Sequence, residues 1–220
     1  MNHDQSEIQQ LVERLYEASS VRHFHLCPRQ VLGVRMGMLA ARYFQLEFPR
    51  QDKRILTIVE TDGCFADGVT VSTGCEIGKR TLRLVDYGKV AATFIDTASG
   101  NAVRIVPHPY SRDHAQSFPS ESSSRWQRYL DAYRGMPDDL LFTVTPVSLT
   151  FSIRQLISEA GRQAECAQCG EEIINGREVI REEQALCRAC AGGAYYTTSM
   201  HPSRLSGQSC YDLIDRIETT

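Results

Sequence analysis

The chain has 220 residues, 42% of them hydrophobic and 23% charged, with a net charge of −3, which accommodates one domain of about 150 residues and a small appendage, with a core that needs no staples. The mild acidity provides no basic stripe to neutralise a phosphate backbone, so a dedicated nucleic-acid binder is disfavoured. No apolar run reaches the ~20 residues of a membrane span, and the polar start from Met1 to Glu7 lacks a signal-peptide pattern, so the expected location is cytoplasmic with no membrane contact.

Along the chain, Ile8, Leu11, Val12, Leu15 and Tyr16 recur at the spacing of one helix face and predict an amphipathic helix from Asp4 to Ser19. The stretch His23-Phe24-His25-Leu26-Cys27-Pro28 follows. Pro28 suits the first turn of a helix running to Phe44, with Cys27 at or near its N-cap. Gly33, Gly37 and Ala41 fall four apart on that helix and leave one face open to a close backbone approach. Arg54 to Glu60 reads as a central strand delivering the chain to Cys64. Phe65 to Thr73 fits neither helix nor strand period cleanly, and Thr73 to Lys79 reads as a loop.

Asp86-Tyr87-Gly88-Lys89 has turn chemistry and predicts a hairpin between Thr81–Val85 and Val90–Ile95, continued as a meander through Ala102 to Val106. Pro107 to Ser124 reads as a surface loop carrying His108 and His114, to which no role is assigned. A helix from Arg125 to Arg134, a capped turn at Pro137-Asp138-Asp139 and a last strand within Leu141 to Phe151 complete the core. Helices, then strands, then helices imply an α+β fold with an antiparallel sheet and flanking helices. The expected divisions are an N-terminal helix over 1–20, a core over 21–160, a four-cysteine finger over 161–200 and a tail over 201–220.

Eight cysteines, four of them in Cys-x2-Cys pairs, fit metal ligation in a reducing compartment better than a disulfide framework. Cys166 and Cys169 are separated by 17 residues from Cys187 and Cys190, a spacing expected of a structural zinc site. Four thiolates close a tetrahedral shell and fold a module too small for a core of its own. Gly170 suits a zinc knuckle, and a short helix from the second pair through Ala191 would complete a treble-clef or ribbon finger. A redox dithiol or disulfides would leave half the pattern unexplained. Cys210 reads as an ordinary surface or packed thiol.

The second constellation is His23, His25, Cys27, Cys64 and Cys75, a set able to hold a soft or borderline metal. His25 and Cys27 converge only if the backbone between them is extended. The N-terminal end of the following helix is expected to lower the pKa of Cys27. The competing interpretation of each thiol is a small core hydrophobe.

His23-Phe24-His25-Leu26-Cys27-Pro28 with Gly33-Val34-Arg35 resembles the opening motif of the FmdE family of formylmethanofuran dehydrogenase proteins. Cys64-Phe65-Ala66-Asp67-Gly68, Thr73-Gly74-Cys75, Gly78-Lys79 and Asp86-Tyr87-Gly88-Lys89 resemble its second motif. The C-terminal cysteines are similar to the treble-clef zinc finger that many members carry. The resemblance implies an α+β core whose motif His and Cys residues line a metal or active-site cleft, and a tendency to form homodimers. It also implies association with molybdenum or tungsten formylmethanofuran dehydrogenase, the oxidoreductase that fixes carbon dioxide onto methanofuran. The family pattern has glycine where this chain has Phe24 and Arg29, and threonine and glycine where it has Glu76 and Arg80, so the cleft is expected to be narrowed or recharged.

The leading expectation is a metal-binding accessory or redox-linked protein. Cys27, Cys64 and His25 serve as core ligands or reactive groups, with Cys75 and His23 in support. Asp67 and Lys79 are candidates for proton transfer or anion contact, against plainer roles as a turn carboxylate and a surface lysine. The alternatives are an enzyme using the Cys27 thiolate as nucleophile with His25 or His23 as base, and an interaction module whose finger binds protein or RNA.

Overall fold

Five β-branched and apolar residues, Ile55–Val59, form strand β1 and are buried on both faces, as expected of the centre of a sheet covered from two sides. In the computed structural model, which describes residues 5–153 and 161–197, two compact units are distinguished, Met1–Ile157 and Ser158–Thr220. The first contains α1 (Gln5–Val21), α2 (Pro28–Phe44), β1, α3 (Cys64–Thr73), β2 (Leu82–Leu84), β3 (Ala92–Asp96), β4 (Ala102–Pro107), α4 (Ser111–Gln116), α5 (Arg125–Gly135), α6 (Asp138–Leu141) and β5 (Phe142–Val147). Its five strands lie in the order β2-β1-β3-β4-β5. Every pairing is antiparallel except β1 with β2. The fold is α+β.

The pleat divides the sheet. Ile55, Val59, Ala92, Phe94, Val103 and Ile105 pack with the helical residues Val31, Val34, Met36, Phe65 and Val69 in the main core. Leu56, Ile58, Ile95 and Ala102 point the other way and pack with Val147, Leu149 and Ile153. Fully burying a side chain such as Phe65 or Phe94 contributes about 2–3 kcal/mol.

The open glycine face of α2 receives α3. A Cβ on Gly33 would lie 2.3 Å from the Phe65 carbonyl oxygen, and one on Gly68 would lie 2.3 Å from that of Gln30. Farther along, Gly37 faces Ser72 and Thr73. Contacts that advance together along both helices mean that α2 and α3 run side by side in the same direction, with their N-termini at one end. Small residues on the contact face of α3 also explain why Phe65 to Thr73 shows no clean period in the sequence.

Two expected features are corrected. The segments around Asp86-Tyr87-Gly88-Lys89 do not form a hairpin, because β1 lies between β2 and β3. Tyr87 N–H and Lys89 N–H instead donate to the Glu60 carbonyl, so the turn wraps the end of β1. Pro107 to Ser124 is not all loop, since Ser111–Gln116 forms α4 with Ser111 and Ala115 buried. The true hairpin of this region joins β3 to β4, with Gly100 at φ 79°.

The second unit has two short hairpins, β6 (Gln163–Glu165) with β7 (Glu172–Ile174) and β8 (Val179–Arg181) with β9 (Gln184–Leu186). A single wide turn, Ala189–Gly193, follows, interrupted by Gly192 at φ 92°. Only this turn stands where a short helix was expected. Cys210 and the tail lie outside the described residues.

Candidate functional site

Cys27 is the N-cap of α2, with extended backbone at φ −110° and ψ 158°. Its sulfur accepts from Gln30 N–H at 3.4 Å, and its own N–H donates to Gln30 Oε1 at 2.7 Å, a capping box with cysteine in the place of serine. Gln30 Nε2 donates to the Ser19 carbonyl at 2.6 Å, tying the cap to the end of α1. Cys64 is the first residue of α3, preceded by Gly63 at φ 80°. Because α2 and α3 start at the same end, these two cysteines share one mouth. The Cys64 thiol is near enough to Cys27 to help raise its pKa.

The expected lowering of the Cys27 pKa is reversed. Burial pushes it up, and Cys64 adds to the rise, outweighing the Gln30 and Arg29 N–H groups at the helix start. Cys27 is 8% exposed, and Cys64 is the more accessible thiol.

Asp67 follows Cys64 by three residues and shares its face of α3. Far from being a free turn carboxylate, it accepts from His23 Nε2 at 2.6 Å and pairs with Arg22 Nη1 at 3.6 Å. Arg22 also helps lower the pKa of Glu76, whose main partner is Lys79. Lys79 itself is engaged by Gln51 Oε1 at 2.5 Å and Glu76 Oε1 at 2.8 Å.

The remaining candidates lie elsewhere. His25 is exposed, and its ring stands 6.2 Å from that of Trp126 on α5. The chain turns at Phe24, with φ 59°, and bends at His25, and the His25 ring faces α5. Cys75 is 2% exposed, accepts from Thr57 Oγ1 at 3.4 Å and donates to the Ile55 carbonyl at 3.3 Å. Burial raises its pKa. It follows the far end of α3, about 15 Å of helix away from Cys64. Its place is that of a core thiol. The five core candidates are therefore not gathered into one metal-ready cluster: Cys27 and Cys64 stand at the adjoining starts of two helices, and His23 meets Asp67.

Arg22, Gln30 and Trp126 were not among the sequence candidates. The Cys27-x2-Gln30 spacing is a legible capping signal, whereas nothing local marks Arg22 or Trp126.

Among the described residues, the one group of three or more His, Cys, Asp or Glu ligand atoms able to hold a metal is Cys166, Cys169, Cys187 and Cys190, all within 4.8 Å of one another. A tetrahedral thiolate shell with bonds of ~2.3 Å places its sulfurs about 3.8 Å apart, and Cys169 Sγ lies 4.0 Å from Cys187 Sγ. The residues fit such an ion. Cys190 N–H donates to Cys187 Sγ at 3.4 Å within its own Cys-x2-Cys turn, as in a zinc knuckle, Cys187 N–H donates to Cys166 Sγ at 3.2 Å across the two pairs, and Gly170 turns the chain at φ 73°. The Cys187 and Cys169 N–H groups hold the Cys166 pKa at about 6, while the neighbouring thiols, Cys187 first, push Cys190 up to about 12. A bound cation would supply the charge that lets all four ionise together.

No helix of the described residues is long and apolar enough to cross a membrane. Over 215 residues the chain is 27% identical to a probable S-adenosyl-L-methionine-binding protein of Archaeoglobus fulgidus, covering 87% of this chain and 56% of that relative. It thus spans about half the length of that protein. Its fold is similar to the crystal structure of a tungsten formylmethanofuran dehydrogenase FmdE-like protein from Syntrophus aciditrophicus, with a TM-score of 0.52, 21% identity, and coverage of 84% of this chain and 95% of that one. The family model described as "FmdE, Molybdenum formylmethanofuran dehydrogenase operon" matches residues 22–143, more than half of the chain and the whole α2/α3 mouth, so the chain belongs to the FmdE family.

Proposed function

We propose that this protein is a metal-binding accessory or redox-linked component that works, as a homodimer, beside a molybdenum or tungsten enzyme of the formylmethanofuran dehydrogenase type. Its working site is the mouth where α2 and α3 begin, and its C-terminal cysteines hold a structural zinc in a treble-clef-like finger. The observation that carries this reading is the delivery of Cys27 and Cys64 to one place by two helices in backbone contact, beside the His23–Asp67 pair. Two thiolates with an imidazole and a carboxylate at hand form a donor set for a soft or borderline metal. In this reading His23 reorients from Asp67 to complete it. Four thiolates at tetrahedral spacing suit zinc in the finger.

Metal analysis of anaerobically purified protein tests the assignment. Two metal ions per chain are expected in the wild type and one in a Cys27→Ala/Cys64→Ala variant. One per chain in both would remove the core metal and leave the finger alone.

A further inference from the structure

The two thiols at the α2/α3 mouth are unequal. Cys27 is buried and fixed by its capping box with Gln30. Cys64 is partly accessible and follows Gly63, whose left-handed backbone carries no side chain that would resist movement. Contacts at Gly33, Gly37 and Gly68 hold the parallel helices in register, which brings their N-terminal ends, where Cys27 and Cys64 stand, to one mouth. No other described thiol of this unit competes, since Cys75 lies beyond the far end of α3 with its sulfur bonded to Thr57 and Ile55. An accessible thiol beside a sheltered one is the arrangement that thiol–disulfide exchange needs: one sulfur meets the incoming disulfide, and the other resolves the product.

We propose that Cys64 and Cys27 form a thiol–disulfide exchange pair for low-molecular-weight disulfides, with Cys64 attacking and Cys27 resolving. This rests on the reading that the mouth is the working site, and it requires no metal there. In the first step the Cys64 thiolate attacks one sulfur of a disulfide RSSR, forming a Cys64–SR mixed disulfide and releasing RS⁻. In the second step the Cys27 thiolate attacks the Cys64 sulfur, forming the Cys27–Cys64 disulfide and releasing a second RS⁻. The protein dithiol is oxidised by two electrons, RSSR is reduced to two thiols, and the two cysteine protons end on those thiols. Oxidation consumes both sulfurs that a core metal would use, so the disulfide and the metal exclude each other.

The test uses the full chain with its finger loaded with zinc, treated anaerobically with excess glutathione disulfide, then denatured, alkylated and mapped by mass spectrometry. The wild type is expected to lose alkylation at Cys27 and Cys64, to yield a linked Cys27–Cys64 peptide and to retain no glutathione at either residue. Cys27→Ser, which keeps an N-cap oxygen, is expected to accumulate a glutathione adduct at Cys64. Cys64→Ser is expected to leave Cys27 unmodified. Full recovery of alkylated Cys27 and Cys64 from the wild type would overturn the proposal, as would a lasting adduct at Cys64 while Cys27 is present. Metal content, measured on the same preparations before oxidation, separates the two readings: a disulfide without a core metal sustains exchange and removes the metal, and a core metal with unreactive thiols does the reverse.

Discussion

A phenylalanine at φ 59° that is 99% exposed has neither a favourable backbone nor a packed side chain. Arg80 has a similar backbone, at φ 61°. These are two of the positions at which the resemblance led to an expectation of glycine, the residue that a left-handed backbone favours. Phe24→Gly removes an L-residue penalty of about 1–2 kcal/mol and gives back part of it as unfolded-chain entropy. It should therefore stabilise the protein by roughly 0.5–1 kcal/mol in urea unfolding. A loss of stability would show that the ring makes contacts worth more than the strain. Asp96 gives a second single-residue prediction. Its carboxylate, 6% exposed, accepts from Arg54, Ser99 Oγ and Ala98 N–H, and Arg54 chiefly holds its pKa at about 2. A pKa depressed in the folded state favours folding above the unfolded value near 3.8 and loses that contribution as pH falls toward 2. Because Arg54 is 40% exposed, screening reduces the contribution to about 1–2 kcal/mol. Asp96→Asn should flatten the stability profile between about pH 4 and pH 2 and leave its shape at neutral pH unchanged.

Between α2 and α3 the requirement is for missing atoms. A Cβ at Gly33 would meet the Phe65 carbonyl at 2.3 Å and Val69 N at 2.8 Å, both backbone atoms that no rotamer change can move aside. Gly33→Ala should therefore cost about 1–3 kcal/mol from overpacking, against the modest gain in helix propensity expected at an exposed glycine. By separating the helix starts it should also lower the yield of the Cys27–Cys64 disulfide relative to the wild type. An unchanged melting temperature would show that the helices already have room. The open face of α2 was legible because Gly33 and Gly37 repeat at helical spacing, and Pro28 marked its start. The helix α3 was not, because the same close packing fills its inner face with Gly68 and Ser72 and erases the apolar period. The order β2-β1-β3 was equally hidden: Asp86 to Lys89 has the composition of a hairpin turn, but its N–H groups are claimed by Glu60, a partner distant in sequence. The cysteines and histidines of the site could be named from the sequence. What decided the partners of Cys27 and Cys64 was the shared direction of two helices, set by glycine contacts between residues far apart in sequence.

At the scale of the whole molecule, the two units differ in what holds them together. The first has a core of its own, with Phe65, Phe94, Ile105 and Leu141 fully buried. In the second, Cys166 and Ile173 are the only apolar side chains buried among the described residues, and its two hairpins pair three residues each. Apolar burial on that scale falls well short of the ordering cost of some 1–2 kcal/mol per residue, whereas a four-thiolate zinc site contributes an apparent ~10–16 kcal/mol. Stripping the metal with a chelator under reducing conditions should therefore unfold the second unit and leave the first intact. Hydrogen exchange followed by mass spectrometry should show residues 163–191 losing their amide protection while β1, β3 and α2 keep theirs. Cys169→Ser, which removes one of the four candidate ligands, should reproduce the pattern without chelator. Residual protection across β6 to β9 after verified metal removal would mean that the hairpins fold without the ion, and that the four cysteines serve something other than structure.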